Sequence, residues 1–223
     1  MTQVSPILLR NVPLFAGLEN EEIDKLAAVA TVRTFAKHAV VIREGEHADS
    51  IYLINSGKVK VLIGDSEGHE VILSILGPGD YFGEMSLIDS QPRSATVVSM
   101  EPVHFAVITK SDFDRCLAHN PRIVTHIMVE LAKRLRSANS KIEGLALMDV
   151  HGRVARTLIQ LAELHNGEMV VDQSLSQQDI ANMVGASREM VSRTLRDLSA
   201  NGFIHVEGKK IVVSHRTFSS KLD

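Results

Sequence analysis

Residues 124–145 carry an apolar side chain at every step of an alternating four–three spacing: Val124, Met128, Leu131, Leu135, Ala138, Ile142 and Leu145. Off that stripe lie Lys133, Arg134, Arg136, Asn139, Ser140, Lys141 and Glu143. The repeat is a heptad seam, and it predicts a long helix opened by Pro121. A stripe this narrow buries little unless another helix covers it. A long surface helix packed on its own domain also satisfies the pattern. The strict repeat and hydrophilic flanks favour a second copy of the same helix across a two-fold axis. The chain is therefore expected to form a homodimer, with the rest of the fold hung on either side of this helix.

The composition is that of an ordinary globular protein, with 44% apolar and 23% charged residues. No apolar run is long enough to cross a bilayer, and residues 1–10 lack the basic–apolar–small order of a signal peptide. A cytoplasmic protein with no membrane partner is the expectation. The one cysteine, Cys116, excludes an intrachain disulfide or a multi-cysteine metal site, and its neighbours suggest packing. The histidines are scattered without a metal-ligand spacing, so no metal is expected. No Ser/His/Asp arrangement stands out either, which argues against an enzyme. Net charge is −3, yet residues 185–221 hold seven Lys or Arg against three acids, or +4. The electropositive end is the C-terminal end.

Taken in order, residues 7–30 read as helical. Turns fall at Pro13-Leu14-Phe15 and Gly17-Leu18, and Asn20 caps a helix that presents Ile23, Leu26, Ala27 and Ala30. From Thr31 the period becomes two. Strands are expected at 32–35, 40–43, 50–54, 58–63, 70–76, 95–99 and 103–108, each closed by turn residues, as in a β-barrel or jelly roll. Residues 80–93 interrupt the alternation. Residues 110–120 return to helix before the seam. Beyond it, Asp149 caps a helix over 150–165 that Asn166-Gly167 ends, and Val170-Val171 reads as a short strand. Helices follow at 176–184 and 187–201, then a hairpin over 202–213 that turns at Glu207-Gly208.

The last of these elements carry a chemistry. Ser176 caps the first helix with Asp179 three residues on. Ile180, Ala181 and Val184 face inward, Gly185 supplies the turn, and Ser187 caps a second helix anchored by Val191, Leu195 and Leu198. That is a helix-turn-helix, and with the hairpin a winged one. Arg188, Glu189, Ser192, Arg193 and Arg196 fall on the exposed side of the second helix. Arginine forks onto the guanine edge and glutamate accepts from the cytosine amine. The Ser176 and Ser187 hydroxyls, with the helix N-terminal amides, are candidates to hold phosphates and set register. The expected DNA-binding set is Ser176, Gln177, Ser187, Arg188, Glu189, Ser192 and Arg193.

A second constellation lies in the interruption of the strands: Phe82-Gly83-Glu84-Met85-Ser86-Leu87, then Pro92-Arg93-Ser94-Ala95-Thr96. Gly83 allows close backbone approach, and the amides of 85–87 open toward an anion. Arg93 and Ser94 offer a charge and a hydroxyl to a phosphate. Glu84 repels phosphate, so it either accepts from a sugar hydroxyl or pairs with Arg93.

Gly83-Glu84 with Pro92-Arg93-Ser94-Ala95 resembles the phosphate-binding cassette of cyclic-nucleotide-binding domains. With Ser187-Arg188-Glu189-x-x-x-Arg193, it makes nearly the whole chain similar to the cyclic-AMP receptor protein branch of the CRP/FNR transcription regulators. The resemblance implies an α+β architecture in three parts. These are a cyclic-nucleotide-binding β jelly roll at 1–119, a dimerisation helix and hinge at 120–148, and a winged helix-turn-helix domain at 149–223. It implies a ligand set of Gly83, Glu84, Met85, Ser86, Arg93, Ser94, Ala95, Arg134 and Asn139. Glu84 would meet the ribose, Arg93 and Ser94 the cyclic phosphate, and Arg134 would reach toward Glu84. The partners implied are palindromic double-stranded DNA, a second copy of the chain and, as a further candidate, RNA polymerase. Cyclic AMP is the implied allosteric ligand. The family's cyclic-AMP binders carry a Thr-Ser pair where this chain has Ala138 and Asn139, which keeps cyclic GMP and cyclic di-GMP open. A ligand-responsive module that does not bind DNA is the remaining alternative.

Overall fold

The computed structural model describes residues 4–171, 175–208 and 210–214. Lys209, Arg216 and Lys221, three of the seven C-terminal cations, lie outside them. The chain divides into two compact units, Met1–Leu135 and Arg136–Asp223, and the division falls inside the long helix.

The first unit opens with α1 (Pro6–Arg10), a 3-10 turn at Pro13–Phe15 and α2 (Asn20–Val29). The N-cap of α2 is Glu19 rather than the expected Asn20, which is the first helical residue. The Glu22 carboxylate accepts from the Glu19 amide at 2.8 Å and fixes the helix start one residue earlier.

Eight strands follow: β1 (Thr31–Phe35), β2 (Val40–Ile42), β3 (Ser50–Ser56), β4 (Val59–Gly64), β5 (Glu70–Leu76), β6 (Tyr81–Phe82), β7 (Thr96–Ser99) and β8 (Val103–Thr109). They form two antiparallel four-stranded sheets, in the orders β1-β8-β3-β6 and β2-β7-β4-β5. Strand β6 was not foreseen. It is two residues long, pairs with Tyr52 and Leu53, and sits in the stretch that shows no alternation.

The sheet β1-β8-β3-β6 is covered on both faces, and the alternation of its residues shows how. Ile51, Leu53, Ala106 and Ile108 pack with the helical residues Leu9, Phe15, Ile23 and Phe113. Tyr52, Ile54, Phe105 and Val107 point the other way, into the space between the sheets with Val59, Phe82 and Val97. Neighbours on one strand thus serve two cores. Tyr52 stacks on Phe82 at 5.1 Å, and Phe105 meets both rings edge-on. Helix α3 (Glu84–Asp89) lies between β6 and β7, and α4 (Lys110–His119) follows β8. Cys116 on α4 packs against the first core, and burial pushes its thiol up to about 11. It is a packing residue, as expected, and a poor nucleophile at neutral pH.

Helix α5 runs unbroken from Pro121 to Leu147. Ile123 and Ile127 are buried in the first core and the seam residue Leu131 is half-buried against it, whereas Val124, Met128, Leu135, Ile142 and Leu145 of the seam are open to solvent. Met128 is 57% exposed, Leu135 63%, Ile142 64% and Leu145 54%.

In the second unit Asp149 caps α6 (Val150–Leu161), accepting from the Gly152 amide at 2.8 Å. The helix ends four residues short of the expectation. Residues Glu163–His165 are instead strand β9, paired with β10 (Glu168–Val171). Asn166 and Gly167 both have positive φ, so this Asn-Gly turns a hairpin rather than terminating a helix. Helices α7 (Gln177–Val184) and α8 (Arg188–Ala200) pack with α6 around Val154, Leu158, Ile180, Val191 and Leu198. Strands β11 (Ile204–Glu207) and β12 (Lys210–Val213) complete a third sheet, β11-β12-β10-β9. Among the described residues, no helix is long and apolar enough to cross a membrane.

Gly57, between β3 and β4, has φ +84°, and a Cβ there would stand 2.5 Å from both the Pro102 carbonyl and Val103. Gly57→Ala should therefore destabilise the protein by about 2 kcal/mol or more, read as a lowered denaturation midpoint.

Candidate ligand pocket and nucleic-acid interface

Strand β6 delivers the chain to Gly83, which takes φ +88° and caps α3. A side chain is excluded there twice over, by the backbone angle and by Arg93, whose Nη1 would lie 2.5 Å from a Cβ. Glu84, the first residue of α3, is 1% exposed. Its Oε1 accepts from Arg134 Nη1 at 2.7 Å, and Arg134 Nη2 donates to the Tyr81 carbonyl at 2.9 Å. The Arg134 guanidinium lies over the Tyr81 ring, 5.2 Å from its centre. Glu84 Oε2 is buried and has no hydrogen-bond partner. Burial pushes the Glu84 carboxyl above the ordinary carboxylate range, and the Arg134 charge, then Arg93, pull it back.

Arg93 does not pair with Glu84, which corrects one of the two sequence readings. It is 4% exposed, and it donates from Nη1 to the Gly83 carbonyl (2.8 Å) and from Nη2 to the Ser50 carbonyl (2.7 Å). These bonds fix the guanidinium against the turn that starts α3, and burial shifts its pKa downward. Two of the five N–H donors of an arginine are used this way, which leaves three for an anion. Ser86 is buried and donates to the Pro92 carbonyl at 3.3 Å, tying α3 to the segment that returns to β7. Ala95 is buried, whereas Ser94 and Met85 are exposed side by side, the Ser94 hydroxyl 3.9 Å from the Met85 sulfur.

The structure thus brings Gly83, Glu84, Met85, Ser86, Arg93, Ser94, Ala95 and Arg134 together. Asn139 and Ala138 lie beyond Leu135, in the second unit, and are solvent-exposed. Sequence reasoning missed Ser50, Tyr52 and Tyr81. The first contributes a carbonyl, the second a ring 6.0 Å from Arg93, and the third both a carbonyl and a ring. A backbone carbonyl leaves no trace in residue identity.

The donor set suits a cyclic nucleotide. A buried carboxylate oxygen without a partner matches a sugar hydroxyl, which can donate to it. A fixed guanidinium with free donors, beside an exposed hydroxyl, matches a phosphodiester.

In the second unit, Ser187 caps α8, accepting from the Met190 amide at 3.2 Å. Ser176 caps α7 and donates its hydroxyl to Asp179 at 2.6 Å. A broad open concavity of about 750 Å³ is lined by Gln177, Ser187, Arg188, Glu189, Ser192, Arg193 and Arg196. Six of the seven expected DNA-binding residues line it. Ser176 does not, and its side chain forms a capping box with Asp179. Arg196 joins the surface two turns beyond Arg188.

Residues 32–120 match the cyclic nucleotide-binding domain, and residues 152–217 match the Crp-like helix-turn-helix domain. Joined in one chain, these two domains define a class of ligand-controlled transcription regulators, not enzymes. The chain is 36% identical over 211 residues to the CRP-like cAMP-activated global transcriptional regulator of Mycobacterium tuberculosis, covering 93% of this chain and 94% of that one. It is 37% identical over 188 residues to the cAMP-activated global transcriptional regulator CRP of Escherichia coli, covering 82% and 89%. Among solved structures, the c-di-GMP responsive global regulator CLP of Xanthomonas campestris aligns with a TM-score of 0.75 at 30% identity, over 87% of this chain and 99% of that one. The chain belongs to the CRP/FNR family of transcription regulators.

Arg134→Ala would leave the Glu84 carboxylate buried without its ion pair. Arg134 is one-third exposed, so the expected cost at neutral pH is about 2 kcal/mol, below that of a fully buried pair. A carboxyl whose folded pKa is raised destabilises the fold as pH climbs past its unfolded value. The cost should therefore shrink as pH is lowered toward the ordinary carboxylate range, measured by urea denaturation of both proteins across pH.

Proposed function

We propose that this protein is a homodimeric, sequence-specific DNA-binding regulator whose DNA affinity is set by cyclic AMP held at Glu84 and Arg93. The observation that carries the ligand reading is Glu84 Oε2, a buried acceptor with no protein partner, beside a guanidinium fixed by two carbonyls. In this reading Glu84 takes the ribose hydroxyl, Arg93 and Ser94 take the phosphate, and Arg134 holds Glu84 ionised and oriented. Gly83, Met85, Ser86 and Ala95 shape the backbone around the phosphate, and Asn139 is the candidate contact for the base. The working division 1–119, 120–148 and 149–223 belongs to the same proposal.

Dimerisation is supported by the seam of α5, where Val124, Met128, Leu135, Ile142 and Leu145 are exposed. DNA reading is supported by the concavity along α8, which three arginines and a glutamate line. Arg188, Glu189 and Arg193 read base edges, while Ser187, Ser192 and Gln177 set the register on phosphates. A two-fold pair of such readers calls for a palindromic site. A regulator of this kind works where the DNA is, in the cytoplasm, with RNA polymerase as its downstream partner.

A second reading keeps the DNA reader and exchanges the ligand for cyclic di-GMP. It is favoured by the likeness to the Xanthomonas regulator and by Ala138, which offers no side-chain hydrogen bond.

Labelled palindromic DNA titrated with the full chain should bind at least tenfold more tightly with cyclic AMP present. No ligand dependence would reject the cyclic-AMP reading, and a response to cyclic di-GMP alone would install the second. Arg188→Ala should weaken binding to the preferred site by about 1–3 kcal/mol and relax specificity at one base pair, measured with single-base operator variants.

A further inference from the structure

Helix α3 carries Glu84 at its start, yet it is only six residues long and ends at Ser90, whose φ is +57°. A helix of roughly one and a half turns does not hold itself together in water, and its last carbonyls have no partner within it. The Leu87 carbonyl, one turn on from Glu84, takes its bond from outside: Lys110 Nζ donates to it at 2.6 Å. Lys110 is the first residue of α4. Its backbone amide, one of those that a helix start leaves free, donates to the Asp49 carbonyl at 2.7 Å. Asp49 precedes Ser50, the first residue of β3, and the Ser50 carbonyl accepts from Arg93 Nη2. The Ser50 hydroxyl donates back to Asp49 Oδ1 at 2.7 Å.

One residue therefore ties down both halves of the ligand pocket. Its main chain holds the strand start that anchors Arg93, and its side chain holds the helix that carries Glu84. The placement of the charge points the same way. A cation in the first turn of a helix opposes that helix's dipole, whereas one at a C-terminus is favoured. Lys110 occupies the unfavourable place on α4 and sends its ammonium to the favourable place on α3. Asp114, one turn along α4, balances the charge at 3.3 Å. A solvated surface lysine leaves its ammonium in water; this one is bonded on two sides, and 40% of its side chain is exposed.

Resting on the ligand reading proposed above, we infer that Lys110 is a positioning residue that keeps the free oxygen of Glu84 in register with the donors of Arg93. It acts through the Leu87 carbonyl. Without the ammonium, that carbonyl loses its partner and α3 loosens from its C-terminal end. Glu84, at the other end of the same short helix, then meets a sugar hydroxyl in more than one position. Arg93 is held by the Gly83 and Ser50 carbonyls and keeps its place for a phosphate. The loss therefore falls on the sugar contact more than on the phosphate contact.

The test uses Lys110→Met in the full chain, which removes the ammonium and keeps both the stem and the backbone amide. Calorimetry should show cyclic AMP binding weakened by about fivefold or more, and 2′-deoxy cyclic AMP by no more than about twofold. A purely structural role would lower the unfolding temperature and leave both affinities unchanged, or weaken both equally, and either result overturns the inference. Hydrogen exchange without ligand provides the second readout. The Ile88 and Asp89 amides, in the last turn of α3, should exchange about tenfold faster in the variant, while the amides of β4 keep their rates. An unchanged rate in α3, or an increase shared by β4, overturns the inference. A wild type that binds the two nucleotides equally rejects the ligand reading instead, and the exchange rates then still decide whether Lys110 holds α3. Should Lys110→Met not fold, Lys110→Gln, whose donor is one atom shorter, is read by the same measurements.

Discussion

The pairing of Arg134 with Glu84 is the contact on which the architecture of the first unit turns. Burying a carboxylate to 1% exposure costs several kcal/mol unless charge and hydrogen bonds offset it. Arg134 offsets part of that cost from α5, fifty positions away in sequence, and also anchors on the Tyr81 carbonyl and ring. The offset is incomplete, since one carboxylate oxygen stays unpartnered and the carboxyl is pushed upward. A purely structural ion pair gains nothing from an orphan oxygen. A binding site does, because an incoming hydroxyl that satisfies it recovers the desolvation already incurred.

The same economy governs Arg93. It is buried against Gly83 and Ser50 carbonyls, which hold it still and leave it donors. Gly83 makes the arrangement possible, since any Cβ would occupy the space of Arg93 Nη1. A short helix, a left-handed glycine and a returning strand thus place a hydrogen-bond acceptor and a set of anion-binding donors side by side. The jelly roll around them is the scaffold, and its first sheet is packed on both faces. Tyr52 and Phe82 serve the inter-sheet core while Ile51 and Leu53 serve the helical one.

Much of this was legible in the chain, and the failures have physical reasons. Long periodic elements read well: the seam of α5, the strands around Val59–Gly64 and Glu70–Leu76, and the capped helices α7 and α8. Strand β6 was too short to show a period. Asn166-Gly167 was read as a helix end although its two positive φ angles make it a hairpin turn, which hid β9. The cap at Glu19 was hidden because its bond comes from Glu22 rather than from the cap's own identity. In the pocket, Glu84 and Arg93 were found by residue type, and their mutual pairing was one of two readings. Glu84 takes Arg134, which the resemblance implied, while Arg93 takes the Gly83 and Ser50 carbonyls, which residue identity does not record. Ser176 was legible as a helix cap, and its side chain bonds Asp179 in the capping box.

What most directly tests the account is whether the orphan oxygen of Glu84 is where a ribose hydroxyl binds. Calorimetric titration of the full chain with cyclic AMP and with 2′-deoxy cyclic AMP isolates that one bond. Leaving a buried acceptor unsatisfied should weaken the deoxy analogue at least tenfold, or about 1.4 kcal/mol. Equal affinity for the two nucleotides would contradict it.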